Sequence, residues 1–108
     1  MKLETAEVVL IRMQFHQSPG SKVRPALVLL DPGDDDFIAA PITSQARASE
    51  FDLALTDWPA AGLNVPSTVR VHKLSVLAKV DIARRLGRCS DTDHEAVLNL
   101  LCRIFCPK

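Results

Sequence analysis

The stretch Ser21–Leu30, SKVRPALVLL, constrains this chain more than any other. It is an apolar run bounded by turn residues, with Pro19 and Gly20 before it and Asp31, Pro32 and Gly33 after it. That is the pattern of a buried strand. Its charge is confined to the entrance, at Lys22 and Arg24. Proline donates no ladder hydrogen bond, so Pro25 is expected at the first residue of the strand. Arg24 then stands at the rim, where a loop delivers the chain into the core. A cation at a rigid strand mouth suits an anion. The competing reading is a solvated arginine paired with a nearby acid, the common fate of arginines.

The rest of the chain reads as strands placed around this one. Glu7–Met13, EVVLIRM, is β-branched and aliphatic and predicts a first strand. His16–Gly20 is a loop broken by Ser-Pro-Gly. Asp31–Asp36, DPGDDD, has four carboxylates and no cation, and predicts a solvated turn. Phe37–Ile42 predicts a third strand ended by Pro41, and Phe51–Leu55 a half-buried fourth. Between them Thr43–Glu50 reads as a polar loop. Asp57–Pro66 predicts an ordered loop packed down by Trp58. Ser67–Leu74, STVRVHKL, alternates most clearly, with Val69 and Val71 on one side and Thr68, Arg70 and His72 on the other. Ser75–Ile82 is ambiguous, with one helical turn expected, and Ala83–Arg88 predicts a last strand bent at its glycine. Ser90 is placed as an N-cap, with Asp91, Asp93 and Glu95 in the first turn. Val97, Leu100, Leu101 and Ile104 follow at helical spacing, and Phe105 widens the stripe. Short strands without intervening helices favour a strongly bent antiparallel sheet or barrel, closed by a terminal amphipathic helix.

Composition bounds the function. A length of 108 residues with 47% hydrophobic content fits one domain spanning 1–108 with one core. The formal net charge is zero, so any nucleic-acid site must arise from local clustering. Such a cluster is present: Arg70, Lys73, Lys79, Arg84, Arg85 and Arg88 are opposed only by Asp81. It reads either as a phosphate path or as solvated strand edges. No run approaches the roughly 18 apolar residues of a membrane span, and no signal peptide is visible, which points to the cytoplasm. Cys89, Cys102 and Cys106 form no disulfide framework, and His94 alone among histidines lies near them. Buried, inert thiols are expected, with no metal and no cofactor. Phe37, Phe51 and Phe105 read as core, which leaves Phe15 or Trp58 for base stacking.

Taken in order, VRPALV, PITSQ, AGLNVPSTVRVHKL and LGRCSD resemble the MazF/PemK family of bacterial toxins, over nearly the whole chain. The resemblance implies a small SH3-like β-barrel of the MazF/CcdB kind, mainly β with helices. It further implies a homodimer, metal-independent cleavage of single-stranded RNA, a small acidic cognate antitoxin and a toxin–antitoxin complex that binds DNA. It places Arg24, in the RP motif, and Thr43, in the TSQ motif, in the active site. Arg24 would clamp the phosphate, since a guanidinium holds two oxygens at once and stays charged. Thr43 would donate to phosphate or orient the ribose 2′-hydroxyl; otherwise it caps a turn. Ser44 and Gln45 are candidates for base or sugar contact, against plain loop solvation. Ser21 and Lys22 at the strand mouth, with Arg70 and Lys73, are further substrate-binding candidates. Some family members carry a glutamate in the loop before the arginine, and here HQSPGSKV has none. His16 in that loop, or His72, is left as a proton-transfer candidate. Other functions open to this fold are a non-catalytic interaction protein or a gyrase-targeting toxin of the CcdB type.

Overall fold

The computed structural model describes residues 1–14 and 21–107, apart from the side chains of Gln14 and Ser21. Its strands are β1 (Glu7–Gln14), β2 (Ser21–Leu30), β3 (Asp36–Thr43), β4 (Asp52–Ala54), β5 (Thr68–Arg70), β6 (Ser75–Ala78) and β7 (Ile82–Arg88). A 3₁₀ turn spans Lys79–Asp81, and a helix α1 spans Asp91–Phe105. All pairings are antiparallel, in the order β4-β5-β3-β2-β1-β7, with β6 beside β3. The expected sheet-and-helix architecture is present, although the ladder is an open path from β4 to β7 and not a closed ring.

β3 bends the sheet. One edge pairs with β2, from Ala26↔Pro41 to Leu30↔Ile38. The other edge is divided: Asp36–Ala39 pair with β6, and Ile42 and Thr43 pair with β5. Pro41 stands in the gap between these two partners, where its missing N–H costs no ladder bond. The strand therefore passes through Pro41 to Thr43 and does not end there. Pro25 likewise lies within β2, paired across β1 with Leu10, just outside the β3 ladder that begins at Ala26.

The alternating run Ser67–Leu74 stops being a strand after Arg70, because Lys73 N–H donates to the Arg70 carbonyl at 3.1 Å and closes a turn. The chain re-enters the sheet as β6, which sequence reading did not place, and the one helical turn expected within Ser75–Ile82 is the 3₁₀ turn at Lys79–Asp81. Along β1 and β7 the register slips twice, between Val8 and Val9 and between Leu10 and Ile11. These irregularities supply the expected bend of the last strand.

Alternation along the central strands gives the sheet two buried faces. Val8, Leu27, Ala40, Ile42 and Val69 lie under α1, against Val97 and Leu100. Val9, Ile11, Ala26, Val28, Phe37 and Ala39 form the second cluster, covered by Leu77 of β6 and Leu3. The central strands read as continuous apolar runs because both faces are covered. Phe105, expected in the core, is 59% exposed, since it lies beyond the Val97–Leu100–Ile104 stripe that faces the sheet.

Two carboxylates, Asp31 of the turn expected to be solvated and Asp93 of the first helical turn, are structural. Asp31 accepts from Leu3 N–H at 2.8 Å and pairs with Lys79 Nζ at 2.8 Å. It therefore ties the N-terminus and the 3₁₀ turn to the end of β2 and does not point from a solvated tip. The Leu3 amide, then Lys79, holds its carboxyl far below the usual range. Asp93 lies in the first turn of α1, where Ser90 Oγ accepts its N–H at 3.2 Å, the cap read from the sequence. Its carboxylate accepts from Thr56 N–H at 3.0 Å, Thr56 Oγ1–H at 2.7 Å and Asp57 N–H at 2.9 Å. Burial pushes the Asp93 carboxyl up, but these hydrogen bonds outweigh it and leave it below its ordinary value.

Asp93→Ala strands three donors at the junction of α1 and the segment after β4. It should cost about 2–4 kcal/mol of unfolding free energy, measured in denaturant. Because the folded carboxyl titrates lower than the unfolded one, its stabilisation is complete above about pH 4 and fades as pH falls through the folded value. Asp93→Asn should remove that share of the acid-side slope, with Asp31, Glu7 and Asp52 keeping theirs.

Candidate functional site

The site lies where β2 and β3 part company. Their ladder ends at Ala26↔Pro41. Carried two residues further, the same register would set Arg24 across from Thr43. The strands instead separate, while each stays paired on its other edge: Arg24 pairs with Ile11 of β1, and Thr43 with Thr68 of β5. Pro25 and Pro41, with no N–H to offer, border the opening.

Two grooves flank these prolines. One, of about 740 Å³, is lined by Arg24, Thr43, Ser44, Gln45 and Arg47, with Asn64, Ser67 and Arg84 opposite. The other, of about 570 Å³, is more apolar, with Ile11, Ala39, Leu74 and Leu77 as its walls and Arg70, His72 and Lys73 as its polar groups. Met13, Arg24, Pro25 and Pro41 belong to both. Arg24 thus stands on the ridge between a polar groove that holds the TSQ residues and an apolar groove that holds the histidine.

Arg24 is exposed and makes no ion pair or side-chain hydrogen bond among the described residues. The competing reading of a paired surface arginine does not describe it. Thr43 Oγ1 accepts the Gln45 N–H at 3.1 Å, the turn-capping role considered above. Accepting leaves its own hydroxyl proton free to donate, so capping and substrate contact are compatible. Gln45 Oε1 is occupied by Arg47 Nη2 at 2.8 Å, which orients its amide. Ser44 is exposed beside them.

The basic stretch is less free than its sequence promised. Arg70 Nε pairs with Asp52 at 3.0 Å, Lys79 with Asp31, Arg85 with Glu7, and Arg88 with Asp91 at 3.6 Å. The Arg85 pair is bidentate, with Nη2 to Glu7 Oε1 at 2.7 Å, and it holds the Glu7 carboxyl below its usual value and raises the guanidinium. Burial raises the Asp52 carboxyl, but the hydrogen bonds from Ser49 and Arg70 outweigh it. Of the six cations, only Lys73 and Arg84 therefore make no ion pair among the described residues. These two face different grooves, on either side of Arg24.

His72 packs against Phe51 with ring centroids 5.2 Å apart. Its Nδ1 is buried and unpartnered. Trp58 is half-buried against the core cluster, which places it under its loop and not on a surface for base stacking. Lys22 is exposed on β2, outside the lining of both grooves. His16, Phe15 and the Ser21 side chain lie outside the described residues. Among the described residues no three His, Cys, Asp or Glu side chains gather as a metal site.

Sequence reading missed Arg47, Asn64 and Ser67. Asn64 is brought in by a loop that docks backbone to backbone on β7. Gly62, at φ +81°, lies so close that a β-carbon there would stand 2.4 Å from the Leu86 carbonyl oxygen. A β-carbon on Gly87 would stand 2.8 Å from the Ala61 carbonyl carbon. The two glycines in AGLN and RLGR were the available signal, but their contact is visible only in three dimensions.

The profile of the PemK-like, MazF-like toxins of type II toxin–antitoxin systems matches residues 4–105. The chain belongs to this family. Solved structures agree in fold. An endoribonuclease in complex with its cognate antitoxin, from a mycobacterial species, is 16% identical over 99% of both chains, with a TM-score of 0.79. MazE–MazF (Form-II) from Deinococcus radiodurans is 20% identical over 94% of both, with a TM-score of 0.78. Mycobacterium tuberculosis toxin MazF-mt6 is 23% identical over 90% of this chain and 95% of its own, with a TM-score of 0.70. No curated protein matches the chain in sequence. Within this MazF-like toxin, the RP and TSQ motifs meet at the parting of β2 and β3, with Arg24 in no ion pair among the described residues. No helix among the described residues is long and apolar enough to cross a membrane.

Proposed function

We propose that this chain is the toxin of a type II toxin–antitoxin pair and cleaves single-stranded RNA, acting as one catalytic domain in the cytoplasm. The observation that carries the reading is the unpaired Arg24 set across the strand opening from a threonine hydroxyl with a proton to give. A single strand crosses the ridge with its scissile phosphate at Arg24. The ribose 2′-hydroxyl attacks phosphorus, a 2′,3′-cyclic phosphate forms, and the 5′-oxygen leaves and takes up a proton. Negative charge grows on the non-bridging oxygens, where the guanidinium binds both. Thr43 donates to the same phosphate or fixes the 2′-hydroxyl. Arg84 and Arg47 in one groove and Lys73 in the other neutralise flanking phosphates. Ser44, Gln45 and Asn64 face the nucleotides of the polar groove. His72, on the far side of Arg24, is the proton-transfer candidate within the described residues.

The cognate partner is a small acidic antitoxin. Its carboxylates match the cations of the two grooves, so that it inhibits by occupying the RNA path. The complex binds DNA through the antitoxin.

Purified protein in excess chelator should cut a long RNA, leaving cyclic phosphate and 5′-hydroxyl ends. Arg24→Ala should lower kcat/KM by roughly 10²–10³-fold with its melting temperature unchanged. Intact RNA at high concentrations of folded wild-type protein overturns the reading.

The active particle is a homodimer. Met13, Val23, Leu74, Val76 and Val80 are each between 37% and 83% exposed, and such apolar surface is what a second copy covers. Sedimentation equilibrium should return twice the chain mass at micromolar concentration. The mass of a single chain there contradicts the dimer.

A further inference from the structure

Cys102 lies in the last turn of α1 and Cys106 is its C-cap, and the proposed RNA chemistry uses neither. Both were expected to be buried, and both are exposed. Their sulfurs are 2.9 Å apart. In an uninterrupted helix, side chains four apart have Cβ atoms about 5–6 Å apart, whereas a disulfide needs about 3.5–4.5 Å. The sequence resolves the conflict through Pro107. A residue before proline is driven out of the helical region. Cys106 accordingly has φ −78° and ψ 143°, while its N–H still closes the helix on the Cys102 carbonyl at 2.8 Å. The helix ends at the residue where the second thiol can swing over the first.

The third cysteine provides the contrast. Cys89 is 2% exposed in the core beneath α1, and burial pushes its thiol up to about 11. It is shielded from both reagents and partners. The last acid before the pair in sequence is Glu95, two turns back along the helix, whereas Arg103 directly follows Cys102. A cation there favours approach of an anionic thiol reagent.

We propose that Cys102 and Cys106 form a dithiol modification site, oxidised to an intrachain disulfide by low-molecular-weight disulfides such as oxidised glutathione. One thiol loses its proton, and its sulfur attacks the reagent's S–S bond. A mixed disulfide forms and one reagent thiolate leaves and is protonated. The second protein sulfur, deprotonated in turn, attacks the protein-side sulfur of the mixed disulfide and expels the second reagent thiol. The protein loses two protons and two electrons, and the reagent gains both as two thiols. The product pins the last helical turn across Arg103–Phe105.

The test is a thiol count on full-length protein incubated with oxidised glutathione, acid-quenched and alkylated in denaturant, with intact mass and peptide mapping. Reactive thiols should fall from three to one, with Cys89 the survivor, and the chain should stay a covalent monomer lacking two hydrogens. Cys102→Ser should instead accumulate a glutathione adduct on Cys106, and Cys106→Ser one on Cys102. Three alkylatable thiols in the treated wild type, a stable adduct on the wild type, or disulfide-linked chain dimers each overturn the proposal. None of these readouts depends on RNA cleavage.

Discussion

Everything at the site depends on β2 and β3 pairing as far as Ala26↔Pro41 and no further. A ladder continued to Arg24 and Thr43 would have closed the space between them with backbone hydrogen bonds. Beyond the two prolines the strands diverge, each still fixed on its other edge: β1 holds β2 down to Ser21, and β5 holds the end of β3. The two prolines at the fork make the separation inexpensive, since neither leaves an unmet N–H behind. The opening therefore belongs to the sheet itself, with both of its walls fixed by neighbouring strands. A site held by strands keeps its geometry better than one carried on loops.

The charge arrangement follows the same economy. A chain of zero formal net charge cannot attract RNA as a whole. Most of its cations in the stretch from Arg70 to Arg88 are engaged by acids, and those pairs fasten structure. Arg85 on Glu7 ties β7 to β1, and Lys79 on Asp31 ties the 3₁₀ turn to the end of β2. Arg70 on Asp52 ties β5 to β4. What remains unpaired falls at or beside the grooves. A guanidinium that already has a carboxylate partner would have to give it up to bind phosphate. Among the described residues Arg24 has none to give up, which is the electrostatic argument for placing the scissile phosphate there.

Much of this was legible in the sequence, for physical reasons that differ by element. β1 and β2 are long and covered on both faces along their middles, so their apolar runs could be read directly. Ser90 was readable because a cap is a local interaction. Arg24 and Thr43 were named through motifs, and the register then gave them a shared location. The misreadings came where a tertiary contact overrode the local pattern. The alternation of Ser67–Leu74 survives on paper, but a turn at Arg70–Lys73 ends the strand at Arg70. Asp31 looked solvated because its partners, Leu3 and Lys79, are remote in sequence. Phe105 looked like core because helical periodicity does not say where an apolar stripe ends. Asn64 depends on a glycine-to-backbone approach that no spacing rule predicts.

The central claim is that Arg24 and Thr43 act on one phosphate from the two sides of the opening. A double-mutant cycle on kcat/KM for RNA cleavage, using Arg24→Ala, Thr43→Ala and both together, tests it most directly. Groups that act on the same atoms of one transition state lose their effect as a unit. The account therefore predicts that the double variant falls no more than roughly threefold below Arg24→Ala alone. Losses that simply multiply would contradict it, placing the two side chains at independent tasks.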